Sequence, residues 1–395
     1  MRLLALVLFA IAACAAENEA DAEVSVLVAE ETIRVATFNV SLYRDEPGAL
    51  LADLEAGSKQ IEAVREIIRV VEPDVLVLNE FDYEESGEAL ALFAEQLDLG
   101  YEHRLALPSN TGAASGVDLD GDGRADHEPG SREYGNDSFG YGTHPGQYGI
   151  AVLSRLPVDE DAVRTFRMLR WKDMPGNLLP AGFYSEEAAD VLRLSSKTHA
   201  VVPVQAKGSV LNLVLAHPTP PGFDGDEDRN GRRNYDEVRL LSDIVAGADY
   251  LMDDQGRRGG LERGAFFLIA GDLNADPSDG DVVAGRSERA IEQLLGHPLI
   301  QDPQPKSAGG ADAARRQGGT NERHQGDPAL DTGDFNDRYA GNLRIDYVLP
   351  SANLHVVDAG VFWPAENEPL YRLTGPGYPP VSSDHRLVWV DIALP

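Results

Sequence analysis

Residues 58–80, SKQIEAVREIIRVVEPDVLVLNE, decide the fold. Ile61, Val64, Ile67, Ile68 and Val71 recur at the three-and-four spacing of one helical face, Ser58 stands where an N-cap belongs, and Pro73 closes the segment. Asp74–Asn79 then runs apolar without alternation, as in a strand buried on both faces, and delivers Glu80 at its tip. A helix leading straight into such a strand is the signature of a layered α/β domain.

The same pattern extends outward. Upstream, IRVATFNV (33–40) alternates and is β-rich, so it reads as a strand ending in Asn39. Downstream, strands are expected at Gly149–Leu153, Ala200–Gln205, Val210–Ala216, Ala265–Ala270, Arg344–Leu349 and Arg386–Ile392. A helix is expected over Tyr235–Leu251 with Val238, Leu241, Ile244 and Val245 facing inward. Together these elements predict at least two packed sheets. Stretches 100–147, 156–198, 217–234 and 300–343 carry few apolar periods and read as long insertions in one domain, since no internal repeat or second boundary is visible.

Composition narrows the function. The chain has 395 residues with 34 Lys+Arg against 66 Asp+Glu, a formal charge of −32, which disfavours tight, nonspecific nucleic-acid binding. A hydrophobic share of 43% excludes a disordered acidic tail. The acidity also supplies oxygen ligands for hard cations.

Residues 1–14 begin Met1-Arg2, continue with an apolar run from Leu3 to Ala13, and end at Cys14, the single cysteine, so no intrachain disulfide can form. The run is too short to span a bilayer, and Ile11-Ala12-Ala13-Cys14 resembles a bacterial lipobox, in which the cysteine carries the lipid anchor. The competing reading is an ordinary secretory signal cleaved nearby; both imply export. Residues 15–31 then form a tether and residues 32–395 the domain, giving a membrane-anchored lipoprotein or a periplasmic or extracellular protein.

Several strands end in groups able to share one site: Asn39, Glu80, His217, Asp272 with Asn274, Asp346, and Asp384 with His385. A single polar strand end is usually a turn former; so many endings of this kind point to a common centre. In order, TFN (37–39), the apolar strand ending in Glu80, GDLN (271–274), IDYV (345–348) and SDH (383–385) resemble the endonuclease/exonuclease/phosphatase superfamily, the deoxyribonuclease-I-like fold, across 33–394. The resemblance implies a four-layer α/β sandwich of two mainly antiparallel sheets flanked by helices. It makes Glu80 the principal ligand of a divalent cation, Mg2+ or Mn2+, helped by Asn39 and Asp384. Asp272 and Asn274 would surround the scissile phosphate, and His385, oriented by Asp346, would contact the phosphoryl group and serve in acid/base catalysis. His217 would be a phosphate contact or the general acid. Asn79 stands where the family carries a longer Gln.

Residues 146–155 (GQYGIAVLSR), 194–204 (LSSKTHAVVPV) and 217–221 (HPTPP) resemble a secreted bacterial branch of that superfamily. Lys197 and His199 are either phosphate contacts there or plain residues of a loop before the next strand. Gly333-Asp334-Phe335-Asn336 also spells a GDxN sequence, but it follows a polar stretch in place of an apolar strand, so it is expected to be loosely held and non-catalytic.

Two acidic stretches remain. Asp118, Asp120, Asp122 and Asp126 follow the DxDxDG start of a calcium loop, although Pro129 occupies the position of the EF-hand's closing Glu; the alternative is a solvated acidic turn. Residues 224–231, with Asp236 and Glu237 beside them, also alternate acids, but Arg229, Arg232 and Arg233 either neutralise those acids or reach a substrate phosphate. The expected activity is that of an exported, divalent-metal-dependent phosphoesterase acting on phosphate monoesters or diesters by in-line water attack. An extracellular nuclease and a non-catalytic surface module are the alternatives.

Overall fold

A computed structural model describes residues 31–375, 377 and 379–395, so the signal and lipobox expectations (1–14) and nearly all of the tether lie outside the described residues. In chain order the strands are β1 (Ile33–Leu42), β2 (Val75–Phe81), β3 (His103–Leu107), β4 (Ile150–Ser154), β5 (Arg164–Thr165), β6 (Ala200–Ala206), β7 (Ser209–Leu215), β8 (Phe266–Asp272), β9 (Gly333–Asp334), β10 (Asn342–Leu343), β11 (Asp346–Pro350), β12 (His355–Val361) and β13 (Val388–Ala393). One sheet runs β12-β13-β1-β2-β4-β3 and a second β11-β8-β7-β6-β5, with β9 and β10 a separate hairpin. Neighbours are antiparallel except β1 with β2 and β7 with β8.

The layers follow from which residues each strand turns to which face. On β1, Ile33 and Val35 enter the core between the sheets, together with Val75 and Val77 of β2, Leu213 of β7, Leu268 of β8 and Val348 of β11. The opposite face of the first sheet, with Ala36, Phe38, Leu76 and Leu78, packs on Ile61, Val64, Ile67 and Ile68 of the helix Lys59–Val71. Ser58 caps that helix by accepting from Ile61 N at 3.2 Å. The outer face of the second sheet, with Val214, Ile269 and Leu349, packs on Val238, Leu241 and Ile244 of the helix Arg229–Ala246. The result is the four-layer sandwich with mainly antiparallel sheets, each fully buried aliphatic side chain contributing roughly 1.5–3 kcal/mol.

Some expectations change. The second helix starts at Arg229, before the anticipated Tyr235, and stops at Ala246, where Gly247 takes φ 72°. Asp236 and Glu237 therefore belong to no acidic loop: both are fully buried on this helix. The 100–147 stretch contains β3, and 300–343 contains the helix Ala308–Gln317 and the β9–β10 hairpin. Strand β12 escaped notice because its first residues are mostly exposed and lack an apolar period.

Candidate active site

Strand alternation carries the inner-face apolar rows into a polar end. Residues of the same parity as Val35, Val77, Leu213 and Leu215, Leu268 and Ala270, and Val348 are Asn39, Asn79, His217, Asp272 and Asp346, each no more than 3% exposed. Gly271 makes room for this convergence. Its φ of 152° suits glycine, and a Cβ there would lie 2.1 Å from Ala216 O on the neighbouring segment, so a side chain would push the chains bearing Asp272 and His217 apart.

Glu80 breaks the alternation. Parity with Leu76 and Leu78 would send it toward the helices, but its backbone adopts φ 57° next to a register shift between β1 and β2. Its carboxylate instead accepts from Asn39 Nδ2 at 3.0 Å and lies 3.9 Å from His217 Nε2. Asn39 Nδ2 also donates to Asp272 Oδ2 at 3.0 Å, while Asn39 Oδ1 accepts from Ser41 N. Asn79 ties the two sheets together: its Oδ1 accepts from Thr37 Oγ1 at 3.3 Å on β1 and from the Asp272 backbone N at 3.1 Å on β8.

The two histidines flank Asp272. His217 Nε2 is 3.3 Å from Asp272 Oδ2, and His385 Nε2 is 3.7 Å from the same oxygen. On its other edge His385 Nδ1 contacts Asp346 Oδ2 at 3.0 Å. Thr332 Oγ1 in turn donates to Asp346 Oδ2 at 2.8 Å. Ser383 Oγ donates to Asn39 O at 2.7 Å and accepts from His385 N, fixing the SDH segment to β1. Fully buried Arg386 anchors it further, donating to Ser383 O and His385 O and pairing with Asp334 Oδ2 at 2.7 Å over the Trp363 ring. Asp384 accepts from Ser41 Oγ at 3.1 Å.

Protonation differs across the cluster. Burial disfavours charge on His385, but Asp346 and Asp272 outweigh it and hold the imidazole well above its usual range, as a cation. Burial and the charge of Lys197 instead push His217 down to about 4, leaving it neutral at pH 7. Burial would raise Asp272, yet His385 and the His217 hydrogen bond keep it below the ordinary carboxylate range. Glu80 is pushed up to about 7, chiefly by burial, with Asp384 and Asp272 adding to the rise.

Glu80, His217, Asp272, Asn274, Asp384, His385 and Lys197 all line one cavity of about 1560 Å³. Lys197 Nζ points to Pro218 O at 3.5 Å. His199 is separated from the site, its two ring nitrogens engaged by Ser195 Oγ at 2.7 Å and Glu237 O at 2.9 Å, so a phosphate-contact role is not available to it. The GDFN segment is held more firmly than its polar surroundings implied: Gly333 bridges to His385, Asp334 pairs with Arg386, and the Phe335 ring packs edge-on against His385 at 5.4 Å. It braces the site, and its Asp is turned away into an ion pair.

Two positioning residues on the helix Arg229–Ala246 were missed. Asn234 Nδ2 donates to Thr219 O and Leu273 O, clamping the HPTPP and GDLN loops together. Glu237 accepts from Thr219 N and Ser196 N, both at 2.6 Å. The signal was present as polar residues at the inward positions next to Val238 and Leu241. Of the arginines, Arg229 pairs with Glu227, while Arg233 donates to the carbonyls of Leu194, Phe139 and Arg193; both also line the cavity.

Comparison with known proteins gives a match to the profile of the Endonuclease/Exonuclease/phosphatase family over residues 36–385. Among solved structures the chain is similar to an endonuclease/exonuclease/phosphatase from Beutenbergia cavernae (21% identity, 92% of this chain and 72% of that one, TM-score 0.49). It is also similar to an endonuclease/exonuclease/phosphatase family protein from Bacteroides thetaiotaomicron (12% identity, 93% and 99%, TM-score 0.48). A third is sphingomyelinase C from Streptomyces griseocarneus (14% identity, 91% and 99%, TM-score 0.45). No curated protein matches the chain.

Proposed function

Since the chain belongs to the endonuclease/exonuclease/phosphatase family, whose members are metal-dependent phosphoester hydrolases, we propose that it hydrolyses small phosphate monoesters or diesters with Mg2+ or Mn2+. The observation that carries this reading is the grouping of Glu80, His217, Asp272, Asp346 and His385 in two sets of three, sharing Asp272, whose donor atoms lie within 4.8 Å of one another, with all of them but the buried Asp346 lining a single cavity. The donor chemistry fits a hard divalent cation, because Glu80 is a carboxylate raised to about 7 by burial and crowded by Asp384 and Asp272, a rise that the His385 charge and the Asn39 hydrogen bond only partly offset. Glu80 would hold the cation, with Asp384 on the same cavity wall; Asn39 would join only with its amide turned, since its Nδ2 now faces the carboxylates. When bound, such a cation neutralises charge developing on the phosphoryl oxygens.

The remaining work falls to the chain's own groups. Asp272, ionised between two histidines, accepts a hydrogen bond from the attacking water and orients it. The His385 imidazolium, its Nδ1–H given to Asp346, offers Nε2–H to the phosphoryl or leaving oxygen. Neutral His217 donates to Asp272 and keeps it in place. Asn274 Nδ2 donates to Pro218 O, so Asn274 supports the loop beside the phosphate.

Lys197, Arg229 and Arg233 bring positive charge to the cavity of an acidic protein, which suits a compact anion, while the charge of −32 opposes a long polyanion. Metal-stripped enzyme given Mg2+ or Mn2+ is therefore expected to cleave an aryl phosphate monoester or diester faster than plasmid DNA. DNA hydrolysis far above both small esters would overturn the substrate assignment in favour of the nuclease. We extend the proposal to location: the chain is exported and lipid-anchored through Cys14. Cys14→Ser is expected to move it from the membrane fraction to the soluble fraction, and unchanged membrane retention would exclude the anchor.

A further inference from the structure

A second acidic centre lies in the 118–137 lobe, outside the catalytic cluster. Asp118, Asp120 and Asp137 each bring one carboxylate oxygen within 4.8 Å of the others. Acids on an exposed loop are ordinary, but Asp137 is not one of them: it is 5% exposed, and it comes from the far side of the lobe, directly after the helix Arg132–Asn136. Its Oδ1 accepts from Leu119 N at 2.7 Å, whereas its Oδ2 is buried with no hydrogen-bond partner. His127 Nε2 lies 3.5 Å from that oxygen and 3.1 Å from Asp122 Oδ2, yet it too is buried without a hydrogen bond. Apart from that ring nitrogen no donor among the described residues faces the Asp137 Oδ2, and a buried carboxylate oxygen without a hydrogen bond beside two further carboxylates is an unfavourable arrangement that a cation among the three would relieve.

We propose that Asp118, Asp120 and Asp137 form a calcium site that fastens the Asp-rich loop to the cavity wall. The donors are all oxygens, and Ca2+ accepts six to eight of them in flexible geometry, so water and loop carbonyls can complete the shell on the exposed side. Mg2+ demands tighter octahedral geometry and gives up water reluctantly, which an irregular loop exposed on one side satisfies poorly. The site is not the one the loop motif suggested. Asp122 faces His127 and Asp126 pairs with Arg124, and neither belongs to the set of converging oxygens, whereas Asp137 joins it from a position the motif does not cover. Leu119, Asp120 and Asn136 also line the catalytic cavity, and Asn136 Nδ2 donates to Asp120 Oδ2 at 2.8 Å, so the cation would stiffen a wall of that cavity.

The test needs no enzymatic activity and so stands or falls apart from the proposed function. Full-length, metal-stripped protein carrying Glu80→Gln, which removes the catalytic carboxylate, is titrated with CaCl2 and, separately, MgCl2. Calcium is expected to raise Tm by about 3 °C or more at saturation and to protect residues 118–137 from proteolysis, with magnesium giving a smaller response. Adding Asp137→Asn is expected to abolish the shift, and adding Asp120→Asn, on the exposed side of the loop, to weaken calcium binding about tenfold or more. If Asp137→Asn fails to fold, the Asp120→Asn comparison decides. No calcium response, an equal response to magnesium, or calcium binding untouched by Asp120→Asn would overturn the site.

Discussion

His385→Ala is expected to lower kcat/KM toward a small aryl phosphoester by about 10²–10⁴-fold while the far-ultraviolet circular dichroism stays unchanged. The loss is large because His385 is the histidine held cationic beside Asp272, and the other cannot replace it: His217 is pushed down to about 4 and is neutral at pH 7. Survival of the fold has its own cause. Asp346 loses its imidazole partner but keeps the Thr332 hydroxyl at 2.8 Å, and burial already raises its carboxyl to about 6, so it can take up a proton in place of remaining an unpaired buried charge. Steady-state kinetics beside a thermal melt checks both halves, and near-wild-type turnover would remove His385 from the mechanism.

Glu80→Gln is expected to cost about 10²-fold or more in kcat/KM and to weaken the apparent affinity for Mg2+ by at least about tenfold, read from activity titrated with the metal. The Gln side chain can still accept from Asn39 Nδ2, so the packing is preserved and only the charge is removed. The wild-type pH dependence provides the sign. Burial puts the Glu80 carboxyl at about 7, so above that pH it is ionised and free to bind a cation, and as pH falls through 7 a proton competes for the same oxygens. Apparent Mg2+ affinity is thus expected to drop about tenfold per pH unit on the acid side, and this slope should vanish in Glu80→Gln. Unaltered magnesium titration in the variant would assign the cation elsewhere.

Much of the site was legible because strands repeat every two residues. Once Val35, Val77, Leu268 and Val348 are taken as inward, alternation alone delivers Asn39, Asn79, Asp272 and Asp346 to the same face. Glu80 obeys a different rule: alternation points it the wrong way, and only the left-handed backbone and neighbouring bulge bring it in. Its place at the tip of an apolar strand made it a candidate, and the family resemblance, not periodicity, gave it the ligand role. The supports were harder to see. Asn234 and Glu237 look like unremarkable polar residues in an amphipathic helix until the loops they clamp are known, and the buried role of Asp137 depends on contacts with a segment well before it in sequence. Asp334 shows the opposite hazard, a matching motif whose Asp is spent on Arg386.

Asn79 joins Thr37 on one sheet to the Asp272 backbone on the other, and Asn39 likewise reaches across to the Asp272 carboxylate. The chemistry therefore sits astride a seam between two slabs, with Glu80 on one and Asp272 on the other. Sliding the slabs by about 1 Å would misplace a reacting group by the same amount, a displacement able to cost about 10²-fold in rate. Turnover in such a molecule acts as a gauge of shear: the apolar filling between the sheets, remote from any phosphate, sets the alignment that the reaction reads out.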